Sequence, residues 1–452
     1  MYEELIKDVC QRELNYGCYD FTIEGIPVYN YLKRKYRQLA AKEKGISHDG
    51  INGIKGLLLA IRVTIKSILQ LCWVILSKPK CDNFIHAFSR MDSINGEYVE
   101  KFTDPLIDLT SVGNSYLIFQ RGWQHPKPRK HSSKVIYSDG IYVMAMLWAI
   151  IYRPIFQNKH KVSLVKLLNA LSEAFPENPL NKKWIIKTIL YSLTVTKIYG
   201  YLFKRLSVKN ALAPSRADFL FIIPAAKKNN VQMLELQHGV TYDETITYSG
   251  YRDQMFTPDK FLSFGNMPRN DVYGVDENNI VNIGWAFNEY IKSIKIAPIN
   301  KGVLVVSEPS HNAELFESMC DLAKENPEMT FYFRPHPLEH ISSSQQSIID
   351  CTPNIFIDDN KCNIWISLLR FNHVIGVDST VLYEALSLNR IVGKVFMHGL
   401  EPKYLQAEDQ KYFDKIDDLG SFMSFVQKQI QKNTMRIHSP FNKESLESLL
   451  IK

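Results

Sequence analysis

Three short polar motifs in this chain each follow an apolar run of the kind that forms a β-strand. The first motif, Gln237-His238-Gly239, ends the run that begins at Gln232. An imidazole titrates near neutral pH and can take a proton from a hydroxyl group, so His238 is the first candidate for a catalytic base. Gln237 and Gly239 would support it. A histidine that only hydrogen-bonds a neighbouring loop fits the motif equally well.

The second motif is Arg334-Pro335-His336-Pro337, which follows the run Thr330–Phe333. Pro335 and Pro337 fix the backbone and lack N–H groups, so the loop should be stiff. An arginine and a histidine held at a strand end can both donate hydrogen bonds to phosphate oxygens. We therefore predict that Arg334 and His336 bind phosphate. A rigid loop with a surface arginine is the alternative.

The third motif contains Asp378, Ser379 and Thr380 and leads into a predicted helix. All three residue types are good N-caps, and the first turn of a helix offers free N–H groups to a phosphate. Glu384 lies about one turn further along the helix, where it could hold ribose hydroxyls. Ordinary capping of a strand-to-helix turn is the alternative for this motif.

Alternating strands and helices must position these motifs, which indicates parallel sheets. In the first part of the chain, strand-like runs begin at Asn83, Ser115, Lys134, Asp218, Gln232, Lys260 and Asn279. After a predicted linker at 294–300, strands are expected at 301–307, 330–333, 354–357, 372–377 and 390–396, with helices at 314–325 and 379–388. Ligands of such sheets bind at the carboxyl ends of the strands, where all three motifs fall.

We therefore predict an α/β protein with two Rossmann-like domains that face each other across a cleft and with additional N-terminal helices. Residues 1–295 would bind the acceptor, and residues 296–452 would bind a nucleotide sugar. The last helix is expected to pack back on the N-terminal domain.

Apolar segments with basic residues in the N-terminal half raise the question of a membrane. Residues 51–76 are largely apolar but contain Lys55, Arg62 and Lys66, which share one helical face. That pattern is typical of a helix lying in the membrane interface, although a helix packed on the protein's own core is the alternative. Residues 141–152 are too short to span a bilayer and predict a buried helix. The basic, apolar segment 182–205 adds to the expectation of a lipid-facing side.

Bulk composition limits the classes of protein further. The 452 residues carry a formal net charge of +7, which favours phosphates and anionic lipids as partners. No nucleic-acid-binding motif is recognisable, so we expect no nucleic acid partner. The seven cysteines are odd in number and form no C-x-x-C pair, which favours a reducing compartment. The N-terminus lacks the apolar region of a signal peptide, and a cytoplasmic location follows.

Together, the three motifs resemble those of bacterial capsule polysaccharide transferases, over about residues 218–396. These include capsule Kdo transferases, polysialyltransferases and, more distantly, the CDP-glycerol glycerophosphotransferases of teichoic acid synthesis. The resemblance implies the two-domain GT-B fold and phosphate contacts from His336 and Arg334 and from Ser379 and Thr380. In the teichoic acid enzymes a histidine of an H-G motif is the catalytic base, which would match His238.

The chain departs from the teichoic acid enzymes at Gln237, where they have tryptophan, and sugar transfer is favoured over glycerophosphate transfer. Acidic residues are the second choice for the base: Asp92, Glu97 and Asp104 after the first strand, and Asp243 and Glu244 after the Q-H-G motif. No D-x-D motif follows an early strand, so we expect no metal and no other cofactor. A base that activates the acceptor directly implies inversion at the anomeric carbon.

The sequence thus predicts a glycosyltransferase that moves a sugar from a CMP-, CDP- or UDP-sugar to a bacterial capsule, O-antigen (lipopolysaccharide) or other surface polysaccharide. The acceptor would be an oligosaccharide or a lipid-linked glycan, and the enzyme would be peripheral on the inner face of the cytoplasmic membrane. Three alternatives are a nucleotide-sugar 2-epimerase, a CDP-glycerol-type phosphotransferase and a non-catalytic scaffold.

Overall fold

The computed structural model describes residues 2–41, 54–94, 96–123, 128–216, 219–239, 248–265, 274–299, 301–359, 362–404, 407–429 and 439–451. The chain packs as two compact units. Unit 1 comprises Met1–Ser263, Pro268–Ile283 and Asn442–Lys452, and unit 2 comprises Phe264–Met267 and Gly284–Phe441. The chain thus enters the main part of unit 2 at Gly284, before the predicted linker at 294–300. The C-terminal helix belongs to unit 1.

Unit 1 is built on a parallel sheet. Its strands, in chain order, are β1 (Thr22–Ile23), β2 (Ile26–Pro27), β3 (Asn83–His86), β4 (Asp92–Ile94), β5 (Glu97–Val99), β6 (Tyr116–Gln120), β7 (Val135–Tyr137), β8 (Asn210–Ala213), β9 (Gln232–Leu236), β10 (Lys260–Ser263) and β11 (Ile280–Asn282). Seven of them form a sheet in the order β11-β10-β9-β8-β3-β6-β7, and every pair in it is parallel. The pairs β1–β2 and β4–β5 are small antiparallel ribbons.

Helices cover this sheet and extend beyond it. They are α1 (Tyr2–Asn15), α2 (Lys33–Ala40), α3 (Ile54–Ser77), α4 (Asp104–Leu109), α5 (Asp139–Lys159), α6 (Lys161–Ala174), α7 (Lys182–Leu206) and α8 (Ile222–Lys228). The core on the sheet contains packed aromatic rings. Phe84 stacks on Phe119 with 4.3 Å between ring centroids and meets Phe203 of α7 edge to face at 4.9 Å. Burial of such large apolar side chains is the main source of stability for the unit.

Unit 2 repeats the architecture. Its strands are β12 (Gly302–Val306), β13 (Thr330–Arg334), β14 (Ile355–Ile357), β15 (His373–Gly376), β16 (Ile391–Val395) and β17 (Asp414–Ile416). Its helices are α9 (Ala286–Lys292), α10 (Asn312–Glu325), α11 (Ser343–Cys351), α12 (Ile364–Arg370), α13 (Val381–Ser387) and α14 (Leu419–Val426), and α15 (Lys443–Leu449) follows in unit 1. The strand order is β14-β13-β12-β15-β16-β17, again fully parallel.

In both sheets the chain first adds strands on one side of a middle strand and later adds strands on its other side. In unit 2 the chain starts at β12, adds β13 and β14 on one side, and then returns to add β15 to β17 on the other. In unit 1 the chain adds β6 and β7 to β3 before it returns to place β8 to β11. Connections on opposite sides of the sheet leave a crevice at the carboxyl ends of the two middle strands, where ligands of such sheets bind.

The predicted α/β class with two Rossmann-like units is confirmed by these two sheets. Most predicted strands are confirmed, but the strand expected from Asp218 is wrong. Ile222–Lys228 of that segment is helix α8, and its proline, Pro224, lies in the first turn, where no backbone N–H is needed. A short apolar run does not distinguish a buried strand from a buried helix. The central strand β8 was missed, because Asn-Ala-Leu-Ala is a weak strand sequence.

Two helices differ from ordinary core helices. By length and composition, Gly56–Ser77 of α3 and Asp139–Lys159 of α5 are each long and apolar enough to cross a membrane, with 22% and 39% of the tested windows buried. The prediction of a buried helix at 141–152 is wrong, because α5 continues to Lys159 and only one of its sides packs on the protein. Ala145 and Ala149 are buried, whereas Ile151 is 72% exposed.

Helix α3 is attached to the edge strand β7 by side-chain hydrogen bonds. Gln70 donates to the carbonyl of Val135 over 2.9 Å and accepts from the N–H of Tyr137 over 2.9 Å. Ser67 donates to the carbonyl of Tyr137 and accepts from the N–H of Gly140 over 2.8 Å. These bonds cover one edge of the sheet, which would otherwise present unpaired backbone groups.

A buried ion pair holds the N-terminal helices together. Arg37 of α2 and Glu13 of α1 are both fully buried, and the guanidinium donates to both carboxylate oxygens over 2.7 and 2.6 Å. Tyr19 and Tyr29 also donate to this carboxylate, over 2.7 and 2.8 Å. Arg37 donates in addition to the carbonyl of Ser249 over 2.7 Å, which connects α2 to the segment after 248.

We predict that Arg37→Met lowers the free energy of unfolding by about 3–5 kcal/mol, because it leaves the Glu13 carboxylate buried without its cation. Urea unfolding followed by circular dichroism measures the change. Lys35→Met, an exposed site on the same helix, is the control and should shift stability by less than about 0.5 kcal/mol. Equal effects of the two substitutions would contradict the structural role of the pair.

Candidate functional site

In the crevice of unit 2, carboxylates that follow two neighbouring strands lie close together. Glu308 and His311 follow β12, and Asp378 follows β15. The N–H of Asp378 donates to the carboxylate of Glu308 over 2.7 Å, and His311 Nε2 lies 3.9 Å from Asp378 Oδ2. The reversal of strand order therefore brings together groups that are about 70 residues apart in the chain.

A buried lysine completes this group. Lys394 of β16 is 1% exposed, and its Nζ donates to the carbonyls of Val377 over 2.8 Å and Lys403 over 2.5 Å. Its Nζ also lies 3.4 Å from Asp378 Oδ1. Burial lowers the pKa of Lys394, whereas Asp378 opposes that change. The ammonium thus balances part of the negative charge in the crevice.

The surroundings also change the acidity of the Glu308 carboxyl. Burial raises the pKa of the Glu308 carboxyl, and the charge of Asp378 adds to that rise, while the hydrogen bond from the Asp378 N–H opposes it. A half-buried carboxyl that tends to keep its proton is typical of functional sites. The sequence analysis missed Glu308, His311 and Lys394, although the first two follow a predicted strand just as the three recognised motifs do.

The third motif adopts a different local structure from the one predicted. Helix α13 begins only at Val381, and Thr380 is its N-cap without a side-chain hydrogen bond. Ser379 Oγ accepts weakly from the N–H of Val381, over 3.4 Å. Asp378 does not cap the helix, because its carboxylate accepts from the N–H of Lys403 over 2.7 Å. Glu384 lies one turn into the helix, half-buried.

The prediction that Arg334 offers its guanidinium to a phosphate needs correction. The side chain is 7% exposed and donates to Asp358 over 2.8 Å, to Ser367 over 2.9 Å and to the carbonyl of Cys362 over 2.8 Å. A guanidinium already paired in this way fixes the end of β13 instead of facing a ligand. Arg334 therefore positions the loop that carries His336.

His336 is held with a defined tautomer. Its Nδ1 accepts a hydrogen bond from the N–H of Leu338 over 3.2 Å, so in the neutral ring Nε2 carries the hydrogen and can donate it to a ligand. The N–H of His336 donates to Glu339 over 2.6 Å, and Glu339 accepts from Ser307 at the end of β12 over 3.2 Å. These bonds connect the Arg-Pro-His-Pro loop, with Pro335 buried and Pro337 exposed, to the same sheet edge as Glu308.

In unit 1 the Q-H-G motif lies at the carboxyl end of β9. Gln237 is 8% exposed, and its side chain donates to the carbonyl of Gly239 over 3.0 Å. The ring of His238 lies 6.1 Å from that of Phe88, which follows β3, between centroids. A Cβ at Gly239 would meet nothing within 4 Å among the described residues. Asp243 and Glu244 lie outside the described residues.

The other acidic candidates lie on two elements, the ribbon β4–β5 and the start of α4. Asp92 and Glu97 belong to the ribbon β4–β5, with Glu97 exposed. Asp104 is unsuited to act as a base, because it is fully buried, forms an ion pair with Arg129 and accepts from the N–H of Glu100 over 2.7 Å. Burial raises the pKa of Glu100 to about 7, against the opposing effect of Arg129.

The unit 2 crevice also bears on the prediction that no metal is used. Single ligand atoms of Glu308, His311 and Asp378 lie within 4.8 Å of one another, which is close enough to hold a metal ion. The ammonium of Lys394 beside Asp378 opposes a divalent cation at that place. Metal-independent action stays a prediction.

No protein-family model and no curated protein matches the chain. Among solved structures, it is similar to a glycosyltransferase from Rickettsia africae ESF-5, at 12% identity over 79% of this chain and 91% of that one, with a TM-score of 0.43. It is also similar to UDP-GlcNAc 2-epimerases from Methanocaldococcus jannaschii (10% identity, 81% and 98% covered, TM-score 0.48) and Neisseria meningitidis (10%, 76% and 91%, 0.41). At such identities and TM-scores the likeness carries no argument about the reaction, which must be argued from the residues.

We predict that Glu308→Gln becomes progressively more stabilising as the pH rises from 4 to 7. The raised pKa means that the folded chain holds a proton above the ordinary value of 4.5, so its stability falls as the pH rises and this carboxyl ionises. Glutamine keeps an acceptor for the Asp378 N–H and has no charge to bury. Urea unfolding at both pH values measures the difference, with the exposed Glu328→Gln as control. A constant difference between Glu308→Gln and the wild type across this range would contradict the burial of a carboxyl that resists ionisation.

Proposed function

We propose that the chain is a glycosyltransferase that moves a sugar from a CMP-, CDP- or UDP-sugar to a hydroxyl group of a bacterial surface polysaccharide or its lipid-linked precursor. The observation that supports this most is the composition of the unit 2 crevice. His336 Nε2 can donate to a phosphate, and the carboxylates of Glu308 and Asp378 can accept from the hydroxyls of a ribose or sugar. A nucleotide sugar carries both kinds of group.

His238 supplies the group that a transferase needs in addition to donor binding. We assign it the role of the base that takes the proton of the acceptor hydroxyl as that oxygen attacks the anomeric carbon. Direct attack breaks the bond to the nucleotide phosphate and inverts the anomeric centre. The leaving phosphate needs hydrogen-bond donors, and His336 is the candidate on its loop.

We predict that His238→Ala and His336→Ala have separable effects. A nucleotide that binds the folded chain raises its melting temperature, and His336→Ala should shrink that rise for the CMP, CDP or UDP compound that produces it. His238→Ala should leave the rise unchanged but lower the transfer rate by about 10²–10⁴-fold.

The exposed His340→Ala, just beyond the Arg-Pro-His-Pro loop, is the matched control. Transfer by His238→Ala at the rate of His340→Ala would remove His238 from the mechanism. Epimerisation of a nucleotide sugar without any acceptor would instead indicate an epimerase, and retention of configuration in the product, read by NMR, would exclude direct attack.

We also propose that unit 1 docks on an anionic membrane surface through the outer sides of α3 and α5, called here the apolar face. The two helices pack against each other. The large apolar side chains exposed on them are Leu57, Leu58, Ile61, Ile65, Leu69, Trp73 and Leu76 of α3, and Met144, Met146, Leu147, Trp148, Ile150, Ile151 and Ile155 of α5. Apolar patches of this extent on a protein surface mark contact with a partner or a membrane.

Charge favours a lipid surface over a second copy of the chain. The segment Ile54–Ser77 has three Lys or Arg residues and no Asp or Glu, and 140–166 has four and none. Arg62 and Lys66 are exposed beside the apolar residues of α3. Two identical basic faces repel each other. An anionic membrane instead attracts the cations through its headgroups and buries the apolar side chains at its acyl boundary. The bonds of Ser67 and Gln70 to β7 keep α3 on the protein, so the helix would lie along the surface.

We predict that Ile65→Glu and Ile151→Glu each weaken binding to vesicles that contain phosphatidylglycerol by about tenfold or more. Each removes an exposed apolar group that the membrane would bury and adds a charge of the same sign as the lipid. Co-sedimentation measures the bound fraction. Ile348→Glu, an equivalent change at an exposed site on α11, should leave binding unchanged. If the wild type does not bind vesicles, the apolar face does not dock on a membrane. If sedimentation velocity shows a dimer that these two substitutions disrupt, the apolar face binds a second copy of the chain instead.

A further inference from the structure

A pocket in unit 1 has a marked excess of positive charge. Its volume is about 550 Å³ when its opening to solvent is included, and α2, the loop after β8 and the segment 248–257 contribute to its wall. The charged residues among its described lining are Lys33, Arg34, Arg216, Arg252 and Asp253. Four cations facing one carboxylate in a concave site concentrate the field that attracts anions.

Arg216 has a donor to spare in this pocket. The residue is 8% exposed, and its Nε and backbone N–H donate to the two carboxylate oxygens of Glu235 over 2.7 and 2.9 Å. Its Nη2 meets no acceptor in the part of the chain that the structure describes. A buried guanidinium donor without an acceptor is costly, and an oxyanion in the pocket would satisfy it.

Lys33 is a second poorly compensated cation. Burial lowers the pKa of Lys33 to about 7, and the guanidinium groups of Arg37 and Arg216 add to the change, against Glu13 and Asp253. Of these four charged groups, Arg37 lies on α2 and Arg216 in the loop after β8. Glu13 lies on α1 and Asp253 in the segment after 248. A bound anion would favour the charged form of Lys33 and so be linked to uptake of a proton.

The one carboxylate in the lining is already engaged with the protein. Asp253 accepts from the side-chain amide of Asn30 over 2.9 Å and from the N–H of Met255 over 2.9 Å. Tyr248 lies under Arg216, with the guanidinium carbon 5.0 Å from its ring centroid. The exposed Tyr251, also in the lining, offers aromatic surface beside the cations, which suits a ring that carries an anionic group.

We propose that this pocket binds an oxyanion, either a phosphate or a carboxylate, carried on a sugar ring of the acceptor. That the ligand is the acceptor rests on the proposed function, whereas the binding of a sugar oxyanion by Arg216 and Lys33 stands without it. The pocket would then select acidic or phosphorylated acceptors over neutral ones, because an oxyanion both accepts from Arg216 Nη2 and balances the charge of Lys33.

Titration calorimetry of the full chain with three probes tests the proposal: glucose 1-phosphate, glucuronate and neutral glucose. We expect one or both anions to bind at least tenfold more tightly than glucose. Binding of the phosphate alone identifies a sugar phosphate as the acceptor group, and binding of glucuronate alone identifies an acidic sugar. Equal or undetectable binding of all three probes overturns the proposal.

Substitutions of the lining residues test whether the anion binds in this pocket. Lys33→Met should weaken binding of the anion by about tenfold or more, because the substitution removes a charge-assisted hydrogen bond without leaving an unpaired carboxylate. Lys35→Met, an exposed site on the same helix, should bind as the wild type does. Arg216→Gln should weaken binding too, but it leaves Glu235 without its cation, so Lys33→Met is the decisive variant.

A pH series separates a direct contact from a merely structural role. Glucuronate keeps its charge between about pH 6 and pH 8, so its affinity should fall over that range as Lys33 loses its proton, and Lys33→Met should remove that dependence. Unchanged affinity in Lys33→Met overturns the proposal. If anion binding depends on Lys33 but the chain transfers no sugar, the pocket is still an anion site and the proposed function is wrong.

Discussion

The order in which the strands join each sheet is the constraint on which both candidate sites depend. Parallel strands direct all their carboxyl ends to one edge, and a sheet that starts at its middle strand must reverse its growth there. In unit 2 the reversal between β12 and β15 brings Glu308 to hydrogen-bond distance of Asp378. In unit 1 the reversal between β3 and β8 brings Phe88 and Arg216 to the same edge as His238. No local motif produces these meetings.

Two buried arginines support that arrangement, and a third has a donor without an acceptor among the described residues. In Arg37 and Arg334, both terminal nitrogens have carboxylate, hydroxyl or carbonyl partners within the protein, so each side chain fixes the segments around it. Arg216 has its Nε paired with Glu235, but its Nη2 has no acceptor among the described residues. The same residue type thus stabilises the fold at two places and presents a donor at a third.

The sequence predicted most strands and the class of fold, because short apolar runs closed by polar residues are local signals. It also predicted where the motifs lie, since each follows a strand. It could not predict that Arg334 turns to Asp358, because an ion pair between strand ends depends on which strands become neighbours. The exposure of α5 was missed for a similar reason. Whether an apolar helix is buried depends on its neighbours, and α7 and α3, which pack on α5, leave its outer side exposed.

If the proposed nucleotide sugar binds in the unit 2 crevice, electrostatics assigns its parts to different places. Phosphates next to Glu308 and Asp378 would meet two carboxylates, with Lys394 turned toward Asp378 and two backbone carbonyls. Hydroxyl groups have no such conflict, because carboxylates are strong acceptors for them. The phosphates are better placed near His336, whose Nε2 hydrogen points away from its bond to the Leu338 N–H. On this argument the carboxylates read the ribose or the sugar and the histidine loop reads the phosphates, which reverses the role that the sequence gave to Asp378.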